Sequence, residues 1–381
     1  MISNEKAVEY LQDIIRIKTE NDHETEVAIY LQQLLQAHGI EARLIELEPG
    51  RSNLVAEIQN GNSTKTLGLS GHMDVVKAGN HDLWQHNPYG AEIIDGKLYG
   101  RGATDMKGGL MALVIAMIHA KENQTFNGTL RLLATVGEET GEPGARQLSD
   151  LGYADDLDGI LVAEPFNQRI LYMHGGSYNY RIKSYGVSAH SSTPQKGQNA
   201  IQHLRDFMVV IQEKLDAVVE QYDNDKLGRT IHSVTLIEGG VQLNSIPEYA
   251  EYQANARTIP EFDNDRLTAL IQATVNELNQ QNNGYQFEFE LLADMPTVVS
   301  NPESELIQVI HQVSHQDNID VIALPGTTDT AQFQRNNPTM DVAIYGPGDV
   351  NLAHQLDEYI EVDDYLEFIP TFVKIIEGYL T

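Results

Sequence analysis

Cysteine is absent from this chain. That removes disulfides, thiolate nucleophiles and cysteine-ligated metal sites together, and it suits a reducing compartment. Basic residues are scarce: 25 Lys and Arg stand against 55 Asp and Glu, a formal charge of −30 over 381 residues. A surface of that sign repels phosphate backbones, which argues against a nucleic-acid partner. It also concentrates cations, without specifying where they bind. No run approaches ~18 consecutive apolar residues, so no membrane partner is expected. The opening MISNEKAVEYLQDIIRIKTEND has an amphipathic helical pattern through Val8, Leu11, Ile14 and Ile15, not the apolar core of a signal peptide. The expectation is a cytoplasmic enzyme. No G-x-S-x-G elbow occurs, and HGG at His174 supplies only part of an oxyanion loop, so a serine hydrolase is not indicated.

What remains is ordinary globular material, 41% hydrophobic and 21% charged. Helical patterns cover Glu5–Lys18 and Glu24–His38, the second stopped by Gly39. The short apolar runs SNLVAEI, TLGLSGHMDVV, GTLRLLATV and GILVAEP then read as strands. MKGGLMALVIAMIHAKEN, apolar nearly all round, reads as a buried helix packed on their sheet. This alternation predicts a three-layer α/β domain. From residue 176 to 292 the texture changes to β–α–β–β–α–β, the ferredoxin-like α+β order, in an insert of about 115 residues. Residues 1–175 and 293–381 are therefore expected to form one catalytic domain around it. Pro370 falls in a C-terminal helix that either tolerates it or kinks there.

Several polar residues sit where predicted strands end. In LSGHMDVV, His72 and Asp74 lie two apart, on one face if the strand continues, and a carboxylate there can fix an imidazole tautomer for a metal. A metal-free His–Asp pair accounts for them equally well. In YGRGATDMKGG, Asp105 stands before a helix and could be a simple N-cap. Gly-Arg-Gly also opens like a dinucleotide loop, but Asp105 occupies the third glycine position and would repel a pyrophosphate. ATVGEETGEPG places Glu138 and Glu139 side by side, with strand alternation aiming them apart. Glu164 ends the next strand in VAEP, and His354 lies in a glycine-led loop, YGPGDVNLAHQLDEYI. Taken singly, these are solvated acids and a surface histidine. Strand ends of an open α/β sheet converge on one crevice, however. Two His, one Asp and two Glu meeting there would suit a pair of divalent cations, zinc especially.

The ordered series Gly-His-x-Asp, Gly-Arg-Gly-x-x-Asp-Met-Lys-Gly, Glu-Glu, Ala-Glu-Pro and a late Ala-His resembles the M20 metallopeptidase and deacylase family over nearly the whole chain. The resemblance implies one metal on His72 and Glu164, another on Glu139 and His354, and Asp105 bridging them. It implies Asp74 as the group orienting His72 and Glu138 as general base. Zinc is the implied metal, with cobalt and manganese fitting similar donors. The insert becomes a lid and dimerisation domain, and the protein a homodimer. In GVSAHSSTP, His190 resembles the residue that crosses from a partner subunit to the oxyanion; by itself it reads as a satisfied turn histidine. Asn244, Arg257, Gly326 and Thr327 resemble substrate contacts, although an Arg on a strand is more often solvated or ion-paired. The substrate implied is an N-acyl amino acid, N-succinyl-LL-2,6-diaminopimelate first, with N-acetylornithine and short peptides as alternatives. HGGSY, from His174 to Tyr178, lacks the basic doublet usual in proteobacterial desuccinylases, and GVSAHSSTPQKGQNAI is closer to the acetylornithine deacetylase pattern. A non-catalytic binding protein on this scaffold is disfavoured because every catalytic position of the pattern is filled.

Overall fold

The computed structural model describes residues 2–281, 283–314 and 319–381. It divides into two compact units: Met1–Met173 with Val299–Ala323 and Thr328–Thr381, and His174–Val298 with Leu324–Thr327. The first is built on a mixed sheet. Ala42–Glu48 and Arg51–Asn60 form an antiparallel pair at one side. Next come Gly128–Thr135, Thr66–His72, Gly159–Val162 and Asp341–Ile344, all parallel to one another. Thr66–His72 is buried along its whole length, as a strand covered on both faces must be. Because these four strands run the same way, their C-terminal ends lie along one edge, and the chain leaves each of them there into a loop.

The helix Gly108–Asn123 packs on this sheet and is apolar on almost every side. Among the described residues, Ala103–Asn123 is the segment long and apolar enough to cross a membrane, and nearly all of it is buried inside the unit. The helix sits very close to the strands. A Cβ added at Gly109 would lie 1.9 Å from the Ala163 carbonyl oxygen, and one at Gly346 would lie 2.5 Å from the same atom. Two glycines thus let a helix start and a loop press backbone to backbone on the end of Gly159–Val162. Pro370 lies inside the helix Val362–Tyr379, where it is tolerated.

The second unit is an antiparallel sheet ordered Ile231–Gly239, Tyr249–Thr258, Gly176–Tyr185, Phe287–Met295. Helices Ala200–Gln221 and Asn264–Gln280 pack on it through a core that includes Tyr180, Phe207, Tyr252 and Ile271. Asn199 and Asp263 cap the two helices, their side-chain oxygens accepting first-turn N–H groups. The β–α–β–β–α–β order expected from the sequence is the one observed.

His174 is fully buried, and its Nδ1–H donates to the Gly175 carbonyl at 2.9 Å. Burial pushes its pKa down to about 4, below the ordinary value of about 6.5. Between those values the unfolded chain binds the proton more readily, so stability falls as the pH drops through that window, by about 3 kcal/mol in all. Urea midpoints measured from pH 7 to pH 4 should fall less steeply for His174→Asn than for the wild type. An identical slope would assign the acid sensitivity to other groups.

Candidate metal centre

Acids and histidines follow the ends of these parallel strands at the common edge. His72 is the last residue of Thr66–His72 and is buried. Its Nε2 lies 3.1 Å from Asp105 Oδ1 and 3.9 Å from Glu164 Oε1. His354, half-exposed, places Nε2 2.9 Å from Glu139 Oε1 and 3.3 Å from Asp105 Oδ2. Asp105 therefore offers one carboxylate oxygen to each histidine. Three of these residues, His72, Asp105 and Glu139, bring ligand atoms within 4.8 Å of one another.

Local backbone explains these positions. Gly102, at φ +83°, turns the chain into an irregular segment, Ala103–Lys107, in which Asp105 has extended rather than helical torsions. The helix behind it starts at Gly108 with no side-chain cap. Asp105 thus faces the histidines and does not serve as an N-cap. Glu138 and Glu139 do not continue a strand, as alternation assumed. The strand stops at Thr135, Gly137 takes φ +73°, and both acids lie in a 3-10 turn, Glu138–Thr140.

The expected role of Asp74 needs correction in its detail. The strand ends at His72, so Asp74 is not the next residue on its face. His72 Nδ1 donates to the Asp74 backbone carbonyl at 2.9 Å, while the carboxylate Oδ1 is 3.6 Å away. That carboxylate instead accepts the N–H groups of Glu138 at 3.2 Å and Glu139 at 3.1 Å. One buried residue therefore sets the imidazole tautomer with its main chain and the acidic turn with its side chain.

So many carboxylates together raise one another's proton affinity. Burial pushes Glu138 well above the ordinary carboxylate range; His72 opposes this, and the charges of Glu164 and Glu139 add to it. Burial and Asp105 push Glu164 the same way. Hydrogen bonds that it donates to the Asp105 and Glu139 carboxylates raise His354 to about 10. For Asp105, burial is outweighed by the hydrogen bonds of His354 and His72, which hold it well below the usual range. Crowded acids that resist ionising among themselves, interleaved with two imidazoles, fit divalent cations with oxygen and nitrogen preference.

The model of peptidase family M20/M25/M40 matches residues 68–378. This chain belongs to the M20 family. It is a hydrolase of amide C–N bonds, as the deacylases and peptidases of that family are. A probable succinyl-diaminopimelate desuccinylase of Staphylococcus aureus (strain MSSA476) is 40% identical over 406 aligned positions, covering 99% of this chain and 98% of that protein. An acetylornithine deacetylase of Buchnera aphidicola is 28% identical, covering 81% and 79%. Among solved structures, an M20 family metallo-carboxypeptidase from Sulfolobus solfataricus superposes with a TM-score of 0.80 at 20% identity, covering 98% of this chain and 99% of that one. That likeness supports the M20 fold.

The other residues singled out in the sequence lie in the second unit. His190 is exposed on a two-residue strand whose partner is Ser245, and the Ser191 N–H donates to the Asn244 carbonyl. The Ser192 N–H donates to His190 Nδ1 at 3.1 Å, which leaves the neutral ring's proton on Nε2. His190 and Asn244 are thus neighbours. Arg257 is half-buried on Tyr249–Thr258, between Ile231 and Ser177. Gly326 and Thr327 belong to the segment Leu324–Thr327.

Sequence reasoning gave no role to three buried charges of this M20 site. Asp329 accepts a hydrogen bond from Thr135 Oγ1, yet burial raises its pKa to about 7. Arg101 and Glu358 pair at 2.6 Å beneath the Asp105 segment. Only burial distinguishes them from solvated charges, and no local pattern announces burial.

Proposed function

We propose that this chain is a dinuclear metal-dependent amidohydrolase that removes the acyl group from an N-acyl amino acid. The observation that carries the reading is Asp105, whose two oxygens stand 3.1 Å and 3.3 Å from two different histidines. His72 and Glu164 would hold one ion, His354 and Glu139 the other, and Asp105 both. When bound, such a pair supplies Lewis acidity at the amide carbonyl and makes water a stronger acid.

The chain's own residues do the rest. Asp74 keeps the His72 proton on Nδ1, so Nε2 presents a lone pair. Glu138 takes a proton from the attacking water and returns it to the leaving nitrogen, which departs as an amine while the acyl group leaves as a carboxylate. His190 Nε2–H is a donor suited to the oxyanion that develops on the carbonyl, and Asn244, Arg257, Gly326 and Thr327 are the proposed substrate contacts. The substrate favoured is N-succinyl-LL-2,6-diaminopimelate, yielding succinate and diaminopimelate, on the strength of the full-length 40% relative. N-acetylornithine comes second, from the 28% relative. A release assay of the zinc-loaded protein on both, with other N-acyl amino acids and dipeptides alongside, tests the assignment. Turnover of dipeptides alone would transfer it to the peptidases.

A homodimer through the second unit belongs to the same reading. Ile231–Gly239 is an edge strand, paired on one side among the described residues, and Ile231, Leu236 and Ile237 are exposed on it. Unprotected apolar edges pair with other chains. Leu236→Lys with Ile237→Lys should convert a dimer to a monomer in sedimentation velocity, and an unchanged dimer would move the interface elsewhere.

A further inference from the structure

Glu358 is almost wholly buried, four residues beyond His354, and belongs to none of the groups assigned above. Its Oε1 accepts two main-chain hydrogen bonds, from the Thr104 N–H at 3.0 Å and the Asp105 N–H at 3.1 Å. Its Oε2 lies 2.6 Å from Arg101 Nη1. Arg101 Nη2 in turn approaches the His354 carbonyl at 3.4 Å. The backbone around it is fixed as well. The Gly100 N–H donates to the Glu358 carbonyl at 2.9 Å, and the Thr104 hydroxyl donates to the Tyr359 carbonyl at 2.6 Å. One side chain therefore clamps the two loops that deliver Asp105 and His354.

Those amides need such a partner. The Ala103–Lys107 segment is not a regular helix, so the N–H groups of Thr104 and Asp105 have no helical acceptor, and leaving them unmet in the interior would be costly. A carboxylate that satisfies both also dictates the angle at which the Asp105 side chain leaves the backbone. Burying a bare carboxylate for this purpose would be prohibitive, and Arg101 supplies the countercharge.

We propose that Glu358 is a positioning residue that holds the Asp105 backbone, and through Arg101 the His354 loop, in the geometry that receives cations. The proposal rests on the dinuclear reading above. It separates from a purely structural role because the ion pair and the amide contacts can be removed independently. R101M/E358M replaces the pair with apolar side chains, a change buried pairs often tolerate, but it offers the amides no acceptor. R101M/E358Q removes the same guanidinium and keeps an amide oxygen facing Thr104 and Asp105.

Zinc affinity is read by competition with a chromophoric chelator, and folding by cooperative melting. The expected result is that R101M/E358M binds zinc about 10–100-fold more weakly than R101M/E358Q. Equal affinity in the two variants would overturn the proposal. Should R101M/E358M fail to melt cooperatively, E358D replaces it, compared with the wild type. The shorter side chain keeps its charge but draws back from the amides, so the same loss is expected and wild-type affinity would overturn the proposal. A wild-type protein that binds no zinc would instead sink the dinuclear reading itself.

Discussion

Replacing Glu138 by glutamine lowers turnover by about 10²–10⁴-fold while the metal content stays that of the wild type. Glutamine keeps the size and hydrogen-bonding reach of the side chain and loses only the ability to take a proton. The Glu138 N–H that binds Asp74 is main chain and survives the change. Its neighbour behaves differently. Glu139 lies 2.9 Å from His354 Nε2, so Glu139→Gln should lose one ion together with activity. Adjacent residues in one turn are thus expected to fail in separable ways, one by chemistry and one by composition. The fall in Glu138→Gln should appear in kcat with KM little changed, the signature of an interaction made only in the transition state. Metal analysis beside single-turnover kinetics checks both variants. A Glu138→Gln enzyme with wild-type kcat would remove the general base from the scheme.

The convergence of these groups was legible because each sits where an apolar run breaks, and parallel strands end at the same edge. Thr66–His72 and Gly159–Val162 were visible as short runs too apolar for a half-exposed strand, with His72 and Glu164 as their punctuation. The insert was legible through periodicity, since Tyr178–Tyr185 alternates between buried and half-buried positions. What failed was the local geometry beyond each strand end. Extending alternation through Asp74 and Glu139 assumed that the strands continue, whereas one ends at His72 and the other gives way to a turn at Gly137. Glu358 and Arg101 escaped for another reason. Their partners lie more than 250 residues away in sequence, and a charge looks alike in a sequence whether water or a guanidinium surrounds it.

The largest expected loss of stability comes from the smallest substitution. Gly109→Ala puts a methyl group where the Ala163 carbonyl oxygen already lies, 1.9 Å from the new Cβ. Both atoms are main chain or bonded directly to it, so no rotamer relieves the clash and the helix Gly108–Asn123 must retreat from the sheet. Overpacking of this kind costs about 1–3 kcal/mol and occasionally more, and a rigid backbone contact belongs at the upper end. The displacement is also aimed at the site. Asp105 lies in the segment that leads directly into that helix, and Glu164 directly follows Ala163, so ligands of the proposed first ion separate as the helix moves. Zinc affinity should therefore fall along with the unfolding midpoint. The same substitution at Gly326, which has no neighbour within 4 Å of its added Cβ, should leave the unfolding free energy within about 0.5 kcal/mol of the wild type. Denaturant unfolding of both variants with metal removed isolates the packing term, and zinc titration then reads the consequence for the site. If Gly109→Ala unfolded at the wild-type midpoint, the close seat of this helix would not be what holds the Asp105 and Glu164 segments together.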